Sequence, residues 1–242
     1  MARYSLSLLS LLMVFIGCKE QPKLPYLQME TTERVVDGKT LIDTSFRTIP
    51  SFLLRNQDST VVTDKDFNDK IYVADFFFTS CPTICPVMHR NLLKVYQKFK
   101  GNPNVKIASH TIDVKYDTPS RMKKYAANLG ISGTQWEFLW GSRDEIYALA
   151  ERNYIVAAQE DSKAPGGFVH QGYLILVDKQ KRIRGAYDGT LEAEVNKLIK
   201  DMDILLLETA KEYLIQQIRK HEKYIFNSPL CSYAIFIMLK ER

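Results

Sequence analysis

The sequence predicts an α/β fold with a mixed central sheet flanked by helices, and three observations carry that prediction. The run Val73-Ala74-Asp75-Phe76-Phe77-Phe78 suits a strand buried on both faces, and the apolar spacing from Val87 to Phe99 behind it is helical. From residue 71 onward, strand-like and helix-like stretches alternate. Two later strands then face each other across a turn instead of a helix, so the strand directions are mixed.

Each element has its own local signal. Residues 19 to about 32, with Pro22 and Pro25, read as an extended linker. Asp37-Gly38 is a hairpin turn between Arg34–Val36 and Thr40–Ile42. Residues 49–54 and 59–62 suggest a second strand pair, turned at Asn56-Gln57-Asp58. A strand over 71–78 leads to a helix over 86–100, and a strand runs from Val105 to Ile112. Pro119 opens a helix that stops near Gly130. Trp136–Trp140 reads as a strand and Arg143–Arg152 as a helix. Strands at Tyr173–Val177 and Arg182–Tyr187 turn at Asp178-Lys179-Gln180, and an amphipathic helix covers about Leu191–Ile218.

The chain has 242 residues, 45% hydrophobic and 25% charged, with a formal net charge of +5. Its basic residues are scattered among acidic ones, with no aromatic-interleaved basic stripe, so nucleic acid is not an expected partner. Arg3 precedes an apolar stretch from Leu6 to Ile16, followed by Gly17-Cys18. That stretch is too short to span a bilayer but fits the apolar region of a secretory signal. Its ending resembles a bacterial lipoprotein box. The expectation is a signal peptide over 1–18, lipidation at Cys18, and attachment to the cell-envelope membrane through the lipid, with the domain outside the cytoplasm.

Export exposes cysteines to oxidation. Beyond Cys18 the chain keeps Cys81, Cys85 and Cys231, too few for a disulfide-stapled scaffold. Cys81 and Cys85 sit where the buried strand meets a helix. A helix N-terminus, with its open N–H groups and positive dipole end, favours the thiolate. Thiolates bind soft metals and attack disulfides. Two thiolates with one imidazole make a low-coordination site suited to copper(I), whereas zinc wants a fourth ligand. His170, in the glycine-rich loop 164–172 ahead of a strongly apolar strand, is placed where loops at strand ends converge. His89 and Met88 are auxiliary candidates, but a solvated helix position for His89 and core packing for Met88 are the simpler readings. His110 reads as a hydrogen-bonded core residue and His221 as a solvated residue of a basic tail. Cys231 reads as an inert thiol in the apolar run Leu230–Leu239, ten residues that are too few to cross a membrane as a helix.

Cys81-Pro82-Thr83-Ile84-Cys85-Pro86 after an aromatic strand resembles the signature of the Sco/SenC family of copper-delivery proteins. Asp113-Val114-Lys115-Tyr116-Asp117-Thr118-Pro119, the His170 loop, the Asp178 turn and Tyr187-Asp188-Gly189-Thr190 follow in that family's order, over roughly residues 46–205. The resemblance implies a thioredoxin-like fold over 46–218, with a linker and extension at 19–45 and a tail at 219–242. It implies copper, as Cu(I) and/or Cu(II), held by Cys81, Cys85 and His170. The implied partners are the copper-site subunit of a respiratory cytochrome oxidase and an envelope thiol reductant or copper donor. Asp113 and Asp117 are candidate supports of the site, stabilising the histidine loop or helping with copper(II). Asp117 also suits the N-cap of the helix that Pro119 opens. The chain departs from better-known members in its lipobox-like signal and its extended C-terminus.

Three functions follow from these residues. A metallochaperone holds copper for ligand exchange and transforms no substrate, so it is not an enzyme in the strict sense. A thiol-disulfide oxidoreductase would use Cys81 and Cys85 as its redox pair, although three intervening residues instead of two change the geometry, and His170 would have no evident task. A small disulfide or zinc staple would leave the histidine loop unexplained.

Overall fold

The computed structural model describes residues 23–226, with the side chain of His170 and those of Thr209 and 211–226 outside the description. The signal segment with Cys18, Cys231 and the apolar run 230–239 lie outside the described residues, as does the His221 side chain. Strands and helices are β1 (Met29–Val36), β2 (Lys39–Phe46), β3 (Leu53–Arg55), β4 (Val61–Thr63), β5 (Ile71–Phe77), α1 (Ile84–Lys98), β6 (Val105–Thr111), α2 (Pro119–Asn128), β7 (Trp136–Leu139), α3 (Arg143–Ala148), β8 (Ala158–Glu160), β9 (Phe168–His170), β10 (Tyr173–Val177), β11 (Ile183–Asp188) and α4 (Glu192–Phe226).

The central sheet has the strand order β11-β10-β5-β6-β7. β5, β6 and β7 are parallel, while β10 runs antiparallel to both β5 and β11. This is the mixed sheet that the alternation of elements predicts. All seven residues of β5 are buried, because the strand is central and covered on both faces. Asp75 and Phe77 point to the side of α1 and α2, where they meet His89 and Tyr125. Tyr72 and Phe76 point the other way, onto Phe67 and Tyr154. The alternation of side chains along a strand therefore splits the core into two layers.

Helix ends follow local chemistry. α2 starts with Pro119 at its first position behind Thr118, whose hydroxyl accepts from the Arg121 N–H at 3.4 Å. It stops at Gly130, whose N–H reaches the Ala127 carbonyl while that of Ile131 reaches Ala126. Pro86 is tolerated in α1 because it lies in the first turn, where N–H groups have no helical partner.

Several elements differ from the sequence reading. Residues 24–28 are no free linker: the Leu27 N–H bonds the Ile183 carbonyl at 3.1 Å, and Arg184 donates to the Leu24 and Pro25 carbonyls. Leu24 is buried as a result. The Asp37-Gly38 hairpin is present, with left-handed φ at both turn residues as its tight turn demands. It is much longer than its signal, however, and every residue of β1 and β2 is exposed. α3 is short and continues as a π-helical turn over Leu149–Tyr154. The β8–β9 pair had no recognised signal, since three-residue strands are too short to show a period. α4 extends past the expected end, to Phe226. Among the described residues no helix is long and apolar enough to cross a membrane.

Candidate metal and thiol site

β5 ends in Phe77, and the chain then turns through residues 78–83 into α1. The Cys81 N–H bonds the Phe78 carbonyl at 3.2 Å, and Cys81 Sγ lies 3.7 Å from Thr83 Oγ1. The turn is tied down by Asp117, a fully buried carboxylate. It accepts from the Thr79 N–H at 2.8 Å, from the Thr79 hydroxyl, and from the Thr111 hydroxyl at 2.7 Å. Asp117 is therefore not the N-cap of α2. That role falls to Thr118, because the turn before the helix aims Asp117 inward, where Thr79 and Thr111 present donors.

Cys81 and Cys85 are both buried, at 7% and 1% exposure, and no disulfide joins them. Their side chains are hydrogen-bonded to each other. The Cys85 thiol is pushed far up, first by its hydrogen bond to Cys81, then by burial and by the charge of Cys81; Asp75 adds in the same direction, and a backbone hydrogen bond from Phe78 opposes them. The helix-end argument, which favours a thiolate here, is overridden. A helix terminus stabilises one partly solvated anion, whereas these sulfurs share one proton-holding contact in a buried place. A cation between the sulfurs removes that repulsion, which is how a thiol pair of this kind becomes a metal ligand set.

Beneath the pair lies a hydrogen-bonded chain. His89 places one ring nitrogen 2.8 Å from the Tyr125 hydroxyl and the other 2.9 Å from Asp75. Asp75 also accepts from the Ser109 hydroxyl, which in turn receives the Trp136 indole N–H at 2.8 Å. His89 is fully buried, so the expectation of a solvated helix position is corrected: it faces β5, where the Asp75 carboxyl group meets it. A polar residue, Asp75, within an otherwise apolar strand is the available signal for a buried partner. Met88 is core packing, as expected, with no exposure. His110 is also a core residue, stacked on Phe76 at 4.9 Å and placing one ring nitrogen 3.3 Å from the Asp75 carbonyl oxygen. Burial lowers its pKa to about 4.

The loop bearing His170 packs on the cysteine turn from two sides. Gly166, at φ 79°, lies so close that an added Cβ would fall 2.8 Å from the Phe78 ring and 3.1 Å from Pro82. Phe168 meets the Phe78 ring at 5.0 Å between centroids. Beyond the histidine, a Cβ on Gly172 would sit 3.2 Å from Thr190 and 3.6 Å from Ile84, the residue just before Cys85. The His170 backbone, paired with Ala158, is thus held between two contacts with the 78–85 segment. Its side chain lies outside the described residues. Among the described residues, no group of three or more His, Cys, Asp or Glu side chains is arranged to hold a metal ion, a count that leaves out the His170 ring.

Asp113 sits beside the same loop. It lines a cleft of about 280 Å³ with Glu160, Gly167 and Phe168, and its carboxylate accepts from the Tyr116 N–H at 3.2 Å. Partial burial raises its pKa, with the charges of Asp117 and Glu160 acting the same way.

Comparison with known proteins agrees with this architecture. The SCO1/SenC family model matches residues 42–205. The SCO1 protein homolog of Bacillus subtilis (strain 168) is 30% identical over 167 residues, which cover 68% of this chain and 86% of that protein. Among solved structures, a SCO1/SenC family lipoprotein from Bacillus anthracis str. Ames is 26% identical with a TM-score of 0.60, covering 66% of this chain and 95% of its own. BsSco, a member of the Sco family of cytochrome c oxidase assembly proteins with an identified disulfide switch, is 29% identical with a TM-score of 0.56, over 65% and 94% of the two chains. The fold is shared with Bradyrhizobium japonicum ScoI, solved with copper bound, at 23% identity and a TM-score of 0.55, over 66% and 99% of the two chains. With its mixed sheet, its cysteine turn at the end of a central strand and a family match over most of its length, this chain belongs to the SCO1/SenC family and has that family's thioredoxin-like fold.

Proposed function

We propose that this protein is a copper metallochaperone that delivers copper to, or prepares, the binuclear copper site of a respiratory cytochrome oxidase. Cys81, Cys85 and His170 are the proposed ligands, and copper is cargo, so no substrate is transformed. The observation that carries the reading is the two-sided packing of the His170 loop on the cysteine turn, through Gly166 on Phe78 and Pro82 and through Gly172 on Ile84. A disulfide staple has no need of that loop. Two thiols and an imidazole are a soft, low-coordination donor set, which suits Cu(I). The copper-bound and oxidase-assembly relatives support the same assignment. Residues 46–218 form the proposed working unit. Cys18 is the proposed lipid anchor, holding the domain on the outer side of a bacterial membrane.

A second reading, thiol-disulfide exchange with a cell-envelope target, is favoured by the mutual hydrogen bond of Cys81 and Cys85, which leaves the sulfurs adjacent. Both chemistries need the pair reduced, so oxidation of the dithiol switches copper binding off. The test is an anaerobic copper titration of the reduced full chain. One-to-one binding that is lost in Cys81→Ser and Cys85→Ser and weakened in His170→Ala supports the chaperone. Unchanged affinity in His170→Ala, together with robust disulfide-reductase activity, would overturn it in favour of the second reading.

A further inference from the structure

Beside the cysteine turn lies a second cleft, of about 440 Å³, a size that suits a small molecule or a few side chains of a partner. Eight residues line it, and none is acidic. Two are cations, Arg121 and Lys124, and five carry hydroxyls, among them Thr79, Tyr116 and Tyr125. Arg121 is held in place: its guanidinium stacks on the Tyr116 ring at 3.6 Å, donates to Thr79 Oγ1 at 3.1 Å and lies 3.9 Å from Asp117. Asp117 is fully buried behind it. The neighbouring Lys123 is paired with Asp58. Lys124 is exposed and has no acidic partner among the described residues. The surplus charge of the cleft is therefore positive, beside the Tyr116 hydroxyl, which accepts from Arg121 and keeps its own O–H for a carboxylate oxygen.

The cleft also borders the thiols. Thr79 is two residues from Cys81, and its position is set by the Asp117 clamp. The Tyr125 hydroxyl lies 2.8 Å from a ring nitrogen of His89, which is one helical turn on from Cys85 in α1. A cationic, hydroxyl-lined recess at the rim of an exchangeable thiol pair selects what approaches that pair.

We propose that this cleft binds a carboxylate carried by the thiol that reduces the Cys81–Cys85 pair. The inference rests on the reading of that pair as one that must be reduced before loading. In the reaction, one thiolate attacks Cys81 Sγ, breaking the Cys81–Cys85 bond and leaving a mixed disulfide and the Cys85 thiolate. A second thiolate attacks the outer sulfur of the mixed disulfide and releases Cys81. Two RSH become RSSR, and their two protons pass to Cys81 and Cys85. Cys81 is the more exposed of the two residues and lies in the turn ahead of α1, which makes it the entry point.

The experiment uses the oxidised full chain in detergent and measures its reduction by 3-mercaptopropionate and by its neutral counterpart 3-mercapto-1-propanol, each rate corrected for thiolate fraction. The expected result is a preference for the carboxylate thiol that falls about fivefold to tenfold in Lys124→Gln, and further in Lys124→Glu, while the neutral thiol reacts unchanged. Added salt should erode the preference in the same way. Arg121→Lys is the milder partner variant, since it keeps the charge near Asp117. A second arm compares a cysteine peptide flanked by Glu with one flanked by Gln. A Lys124-dependent preference in the peptides alone assigns the carboxylate to a polypeptide donor, and in the small thiols alone to a free one. Equal rates for both members of each pair, or a Lys124→Gln loss shared by the neutral thiols, overturns the proposal. If the pair exchanges with no thiol, the reading of the pair fails, and the cleft is judged by binding of succinate. Saturable amide shifts over residues 118–125 that vanish in Lys124→Glu support it, and their absence overturns it.

Discussion

Gly166→Ala is the sharpest probe of how the histidine loop is held. Two separate costs arise at this position. The backbone is left-handed at φ 79°, which costs an alanine about 1–2 kcal/mol. The new methyl would also fall 2.8 Å and 2.9 Å from two atoms of the buried Phe78 ring and 3.1 Å from Pro82. Overpacking of that kind adds about 1–3 kcal/mol. Gly167→Ala is the internal control: its φ is 85°, but nothing lies within 4 Å of the added methyl, so only the backbone cost applies. If the loop docks His170 onto the thiols, its undocking appears as weaker copper binding, at tenfold per 1.4 kcal/mol. The expected rise in Kd is about fivefold to twenty-five-fold for Gly167→Ala, and at least about a further fivefold for Gly166→Ala, which carries the packing cost as well. The assay is competition of the reduced protein with a chelator of known copper affinity, with urea unfolding as the measure of global stability. Added to His170→Ala, the Gly166 change should weaken binding no further, because both act through one ligand. Equal losses in the two glycine variants, or a loss of global stability at Gly166→Ala with copper affinity unchanged, would refute the reasoning.

Two further expectations come from buried groups. Asp117→Ala removes the acceptor of three hydrogen bonds that fix Thr79 and Thr111, so it should destabilise the fold by about 2–4 kcal/mol and speed alkylation of Cys81; Asp117→Asn should do less, and a neutral Asp117→Ala would disprove the clamp. His110 is kept neutral in the fold with its pKa lowered to about 4, while the unfolded chain takes up a proton near pH 6.5. Its contribution is therefore complete above pH 6.5 and lost as pH falls toward 4, by on the order of 3 kcal/mol at most, and urea unfolding of His110→Phe across that range should lack this part of the slope.

The sequence by itself determined the α/β class, the mixed sheet and the position of nearly every long element. Those follow from local rules: the apolar run at β5, Pro119 at the start of α2 and Gly130 beyond its end, and the Asp37-Gly38 turn. It also singled out Cys81, Cys85 and the loop of His170, because their residue types and order are themselves the signal. What it could not reach were consequences of long-range packing. Asp117 reads as a cap by its place in the chain, yet it clamps a turn 38 residues away. His89 reads as a solvated helix position, yet it is fully buried because Asp75, 14 residues earlier, offers an acceptor across the layer. The thiolate favoured by the helix start is opposed once both sulfurs share one buried contact. The cationic cleft gathers Thr79 and the first turns of α2, which no sequence window contains together. Local propensity sets where elements begin and end; burial and charge depend on what folding brings opposite, and only the tertiary structure decides that.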